Sequence, residues 1–255
     1  MQISIYTYLI VCPMVFLAGF VDSIGGGGGL IYLPAYLFAG VPAHIAAGTN
    51  KLSSATGTAV YTFRICKQGN FNRKIAIPSI LAAMIGSSIG ANISLLINES
   101  MFKGILIVIL PIVAFQVLRK KDLEPAESIP FKKQRNIVII ASFLIGGYDG
   151  IYGPGTGTFL ILAYTALAKM NVLQAAGNTK LVNLTSNVTS LAIFLMNGTV
   201  LIPLGLCASL FSIAGHYVGS GMVLKNGSKL VRIIILAVIS LLFVKIILDF
   251  TGIMA

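Results

Sequence analysis

The sequence predicts an all-α polytopic membrane protein. It is built from two inverted-topology repeats, each of about three spanning helices plus a broken or re-entrant helix pair (alternatively five spans each). Three observations carry this. The chain of 255 residues is 56% hydrophobic and 10% charged, with several uncharged runs near the roughly 20 residues that cross a bilayer. Those runs are continuous, not alternating, which argues against an outer-membrane barrel. Second, the glycines from Gly25 to Gly29, just after Asp22, interrupt an apolar run. Each glycine costs a helix interior about 1 kcal/mol, so the run should break the helix. Third, the break recurs half a chain later, where 147–157, with Asp149, repeats the pattern of 19–29.

The elements follow in order. Residues 4–21 form a first helix ending at the glycine break. Residues 30–41 make a short apolar piece containing Pro34, and Pro42 and His44 mark a turn. Residues 43–63 can span and carry Gly48, Thr49, Asn50 and Lys51. Arg64, Lys67, Arg73 and Lys74 make a basic connection to a span over 75–97. Asn98, Glu99 and Ser100 turn into a span over 101–118. A polar segment, 119–135, then links the halves.

The second half replays the first. Residues 136–148 lead to the second break, 158–168 are short, and 172–196 span and carry Gly177, Asn178, Thr179 and Lys180. Spans over 199–224 and 233–250 complete the chain. Gly86 and Gly90 match Gly215 and Gly219, which suits close helix packing on small residues. The units are therefore 1–118 and 136–255, because a repeat outranks local features in deciding architecture.

Basic residues in short loops mark the cytoplasmic side. The loop with Arg64, Lys67, Arg73 and Lys74 has a counterpart, Asn197 and Gly198, with no basic residue. The neutral or acidic turn at 98–100 corresponds to a loop with Lys225 and Lys229, and His44 corresponds to Lys169. All three contrasts reverse between copies, so the copies face opposite ways and each crosses the bilayer an odd number of times. The linker then lies in the cytoplasm and both termini outside, in an inner (plasma) membrane. The first helix is read as a retained span, since Met1 to Ile5 holds no basic residue. The short pieces 136–148 and 158–168 suggest half-helices meeting near the midplane. Bare backbone at that depth is tolerated where it is buried in protein or lines a cavity.

Away from loops and helix ends the charged residues are Asp22, Asp149, Lys51 and Lys180. Ionisable groups within a membrane are costly enough to mark function. They form either a substrate site or two structural ion pairs, and the acids can also cap the helices after the breaks. The glycine loops, with Gly26, Gly27, Gly28, Gly153, Gly155 and Thr156, offer backbone N–H groups beside helix N-termini, an arrangement that holds anions. Thr49, Asn50, Asn178 and Thr179 add donors, and Asn183, Thr185 and Asn187 extend a polar face. Asp22 and Asp149 balance the lysines or carry a coupling ion, proton or sodium. His44 and His216 read as structural. The net charge of +11 comes from loop lysines and arginines and does not imply nucleic acid. Cys12, Cys66 and Cys207 give no disulfide framework and no metal spacing, and no cofactor is expected. No nucleophile–base pair suggests an enzyme, and no ATP-binding motif suggests primary transport.

The two glycine breaks with their acids, together with Gly48-Thr49-Asn50-Lys51 and Asn178-Thr179-Lys180, resemble the TauE/SafE sulfite exporter family, also called the toluene sulfonate uptake permease family. The resemblance covers nearly the whole chain. It implies a membrane transporter of sulfur-containing anions such as sulfite, sulfoacetate or other organosulfonates, usually exporting them. The other reading is a channel-like or non-transporting membrane protein, a sensor or partner subunit.

Overall fold

The computed structural model describes residues 4–25, 27–118 and 129–222. These form helices α1 (Ile5–Gly25), α2 (Gly29–Phe38), α3 (Ala43–Lys67), α4 (Arg73–Leu96) and α5 (Glu99–Leu118) in the first half. The second half contributes α6 (Phe131–Ile151), α7 (Thr156–Leu162), α8 (Val172–Met196) and α9 (Ile202–Met222). A π-helical turn, Ala163–Leu167, extends α7. Among the described residues there is no strand. The span expected over 233–250, the loop with Lys225 and Lys229, and most of the linker lie outside the described residues.

Among the described residues, three helices are long and apolar enough by composition to cross a bilayer: Ile5–Ile24, Arg73–Leu96 and Ile202–Ser220. The 25-residue helices α3 and α8 are also long enough but carry many buried polar side chains, which lowers their hydropathy. α1 and α6 are not half-helices. Each has 21 residues, about 31 Å at 1.5 Å per residue. α6 begins at Phe131, so Lys132, Lys133 and Arg135, expected in the linker, already lie on its first turns. Only the pieces after the breaks are short: α2 has 10 residues, about 15 Å.

Helix directions follow from which residues touch. The start of α3 lies against the end of α8, with Gly48 packed on Phe194 and Thr199. The start of α8 lies against the end of α3, with Gly177 packed on Ile65 and Asn70. These matching helices are therefore antiparallel. α1 instead runs parallel to α9, since Cys12 meets Cys207 and Gly19 meets Ser212 and His216. α6 likewise runs parallel to α4, since Gly146 meets Ala83 and Ser94 donates to the carbonyl of Ile151. Each half thus gives its first helix to the fourth helix of the other.

Small residues set these interfaces. A Cβ on Gly86 or Gly90 would strike the backbone of Phe143 or Gly147, and one on Gly215 that of Phe16. α2 returns alongside α1: Gly28 lies against Ala18 and Asp22. Its tyrosines anchor it, Tyr32 to Ser212 and Tyr36 to Ser53. α7 is held in the same manner by Tyr164, which bonds Ser142.

The parallel pairing of α1 with α9 places the thiols of Cys12 and Cys207 3.5 Å apart, both free. Mild oxidation of membranes should join them. With a protease site inserted within 119–128, the cleaved halves should migrate together unreduced and separate on reduction or in Cys12→Ser. Halves that separate without reductant would contradict this packing.

Candidate functional site

The site forms where the two breaks meet. Gly29, opening α2, packs on Gly153, Pro154 and Gly155, so that a Cβ at position 29 would lie 3.0 Å from the nitrogen of Gly155. Gly153 and Gly155 hold left-handed backbones, φ +88° and +79°, which glycine adopts without strain. At Gly153 the space is also filled: a Cβ would lie 2.9 Å from Asp149 and 3.1 Å from Lys51.

All four charged residues are at least nine-tenths buried, and they pair across the halves. Lys51 Nζ of α3 lies 2.9 Å from Asp149 Oδ2 of α6. Lys180 Nζ of α8 lies 2.6 Å from Asp22 Oδ2 of α1 and 3.1 Å from the Asp22 carbonyl. Thr156 donates to Asp149 Oδ1 at 2.8 Å, and Ser186 donates to Asp149 Oδ2 at 2.5 Å. Asp22 has a different second partner, Nε2 of His216 at 3.2 Å. Lys180 Nζ also sits 5.1 Å from the centre of the Tyr61 ring, within cation–π range.

A small polar cavity of about 20 Å³ is bordered by Asp22, Tyr32, Asn50, Lys51, Ser54, Thr58, Asp149, Gly153, Thr156, Asn183 and Asn187, with Gly29 and Gly157 as its glycine walls. That volume suits a water or two but no larger solute. The Asn50 side-chain oxygen is buried on this wall without a hydrogen-bond partner among the described residues. Along α3 the cavity runs from Asn50 and Lys51 to Thr58.

A family model described as sulfite exporter TauE/SafE matches residues 11–246. The chain belongs to this family. It is similar to a probable membrane transporter, ORF9, of Sinorhizobium, with 35% identity over 92% of this chain and 90% of that protein. A probable membrane transporter of Haemophilus influenzae is 31% identical over 98% of both chains. The probable membrane transporter YfcA of Escherichia coli is 30% identical over 92% of this chain and 88% of its own. No solved structure matches. The protein is a multi-pass membrane transporter of the TauE/SafE family.

The geometry sorts the residues singled out in the sequence. Asn50, Lys51, Asp149, Gly153, Thr156 and Asp22 border the cavity, and Lys180 reaches it through Asp22. Thr49 does not: its hydroxyl accepts from the Leu201 nitrogen at the entry to α9. Asn178, its counterpart, donates to the Gln174 carbonyl of its own helix. Thr179 is buried outside the cavity wall, its hydroxyl without a partner among the described residues. Gly27 and Gly28 are buried beside the wall, Gly155 caps α7, and Gly26 lies outside the described residues. The acids do not cap the following helices. Gly28 and Gly155 hold the cap positions without side-chain bonds, while Asp22 and Asp149 lie within α1 and α6. His216, read as structural, proves to be a partner of Asp22, and Ser186 and Tyr32 join the site unforeseen.

Lys51 both pairs with Asp149 and borders the cavity, so two effects should separate on mutation. Lys51→Gln strands a buried carboxylate and should destabilise by about 3–5 kcal/mol. Lys51→Gln with Asp149→Asn should recover thermal stability in detergent but not transport. Recovery of both would make the pair a structural staple without a role in transport.

Proposed function

We propose that this transporter carries small sulfur-containing anions, sulfite or organosulfonates, as a secondary carrier working by alternating access. The observation that carries the reading is the pair of buried cross-half ion pairs on one polar cavity. Each lysine belongs to one half and its carboxylate to the other. An anion entering the cavity competes with the carboxylate for the ammonium group, and so weakens a bond that ties the halves together.

The backbones of the two lysines sit at different depths, although both side chains turn to the one site. Thr62 of α3 donates to the Lys180 carbonyl at 3.4 Å, whereas Lys51 lies 11 residues earlier on α3, about 16 Å along the axis. Releasing one pair at a time would open the cavity to one side and then the other. With opposed copies in the bilayer, these depths become two gates. Broken helices meeting between inverted repeats are a recurring carrier plan, with the substrate at the repeat interface. The cavity holds only about a water or two, so admitting an anion requires the halves to move apart.

The family description and two buried ammonium groups beside neutral amide and hydroxyl donors support a sulfur anion. Neither helix N-terminus is required to hold the anion. The loop charges support a cytoplasmic linker and outside termini in an inner membrane.

Purified protein in proteoliposomes preloaded with unlabelled sulfite should accumulate ³⁵S-sulfite by counterflow. Excess methanesulfonate or sulfoacetate should inhibit it. Counterflow absent for every sulfur anion, but present for another solute class, would contradict the proposal.

A further inference from the structure

The two ion pairs occupy matching positions, yet their surroundings differ in one respect. The Asp149 pair is completed by hydroxyls, Thr156 and Ser186, whereas the Asp22 pair is completed by an imidazole. The exchange is coordinated. His216 corresponds to Ser87, and Gly57, whose missing Cβ makes room for the His216 ring, corresponds to Ser186. Tyr61, beside the same ring, corresponds to Ser190. One ion pair therefore has a titratable ring beside it where the other has small neutral side chains.

The histidine's bonding fixes a proton count. His216 Nδ1 lies 3.0 Å from the Ser212 carbonyl oxygen, which can only accept. Its Nε2 lies 3.2 Å from Asp22 Oδ2. A neutral imidazole has one N–H and one lone pair, so it cannot satisfy two acceptors at once. The Tyr32 hydroxyl, bonded to Ser212 Oγ at 2.5 Å, lies 3.5 Å from Nδ1, too long to displace the carbonyl contact at 3.0 Å. A neutral ring beside an ionised Asp22 leaves two lone pairs facing each other. One further proton on the line between Nε2 and Oδ2 removes the conflict, whether it is written on the ring or on the carboxyl.

We propose that His216 and Asp22 form a proton-binding site that couples proton uptake to anion binding in this transporter. The groups facing His216 are Asp22 from α1, Tyr32 from α2, Tyr61 from α3 and, through Asp22, Lys180 from α8. On its own helix, Ser212 accepts, while Tyr217 turns to Arg64. With the proton bound, one carboxylate stands against two cations, and the cluster carries a net charge of +1. Without it the cluster is neutral. Asp22 and Tyr32 also border the cavity, so a bound monoanion senses this charge. Anion and proton then favour each other's binding reciprocally. Among the described residues no such group bonds the opposite pair, Lys51 with Asp149.

The coupling rests on the anion reading given above; the proton site itself does not. The chain has two histidines, so protein labelled with ¹⁵N-histidine gives two ring signals, assigned with His44→Gln. Between about pH 5 and pH 8, His216 should show a doubly protonated ring. A neutral ring accompanied by a protonated-carboxyl infrared band that vanishes in Asp22→Asn is the equivalent result. A neutral ring with no such band across the range would overturn the proton site. At pH values above the loss of this proton from the unliganded protein, affinity for sulfite and methanesulfonate should fall more steeply with pH in the native protein than in His216→Gln, by up to about tenfold per pH unit for one linked proton. Any titration of the anion itself is common to both proteins. Equal slopes would overturn the coupling. If neither protein binds any sulfur anion, the anion reading falls, and the spectra alone decide the proton site.

Discussion

The structure depends on the cost of keeping four charges inside an apolar body. A carboxylate or ammonium removed from water loses several kcal/mol of solvation, recovered only with close, fully bonded partners. Here each charge finds its partner in the other half of the chain: Asp22 with Lys180, and Asp149 with Lys51. Neither half can bury its own charges alone. The antiparallel contact of α3 with α8, and the parallel contacts of α1 with α9 and α6 with α4, bring each carboxylate to the opposite lysine. The glycines serve the same end. Gly29 and Gly153 bring two backbones and two side chains into a volume where any Cβ would intrude.

Approximate two-fold symmetry explains the architecture, and its violations explain the chemistry. Equal halves with equal pairs would make two equivalent gates. The replacement of Ser186 and Ser87 by Gly57 and His216 at matching positions makes them unequal. At the Asp22 pair an imidazole ring stands where the Asp149 pair has the hydroxyl of Ser186, and the ring adds a group able to hold a proton.

Much of the arrangement was legible in the sequence. The paired breaks, the four intramembrane charges and the matching Asn-Lys helices are all readable as residues. Three features were not, for physical reasons. The start of α6 was hidden because Lys132, Lys133 and Arg135 read as loop, although basic residues sit readily on the first turns of a helix that emerges into water. Thr49 and Asn178 were grouped with their neighbours, but successive residues on a helix point about 100° apart. Thr49 therefore turns to α9 while Asn50 and Lys51 turn to the cavity. His216 is 194 positions from Asp22, and no local pattern links them. The one available signal was comparative: Gly57 stands where the second copy has Ser186, and His216 where the first copy has Ser87.

The central claim is that the halves lie opposed in the bilayer, so that their charges meet in one site. The most direct measurement is sidedness. In a background without native cysteines, Gln68→Cys follows α3 and Asn197→Cys follows its counterpart α8, and both positions are exposed. A membrane-impermeant thiol reagent applied to intact cells should label position 197 and leave position 68 unlabelled until the membrane is opened. Labelling of both from the same side would contradict opposed halves, and with them the single shared site.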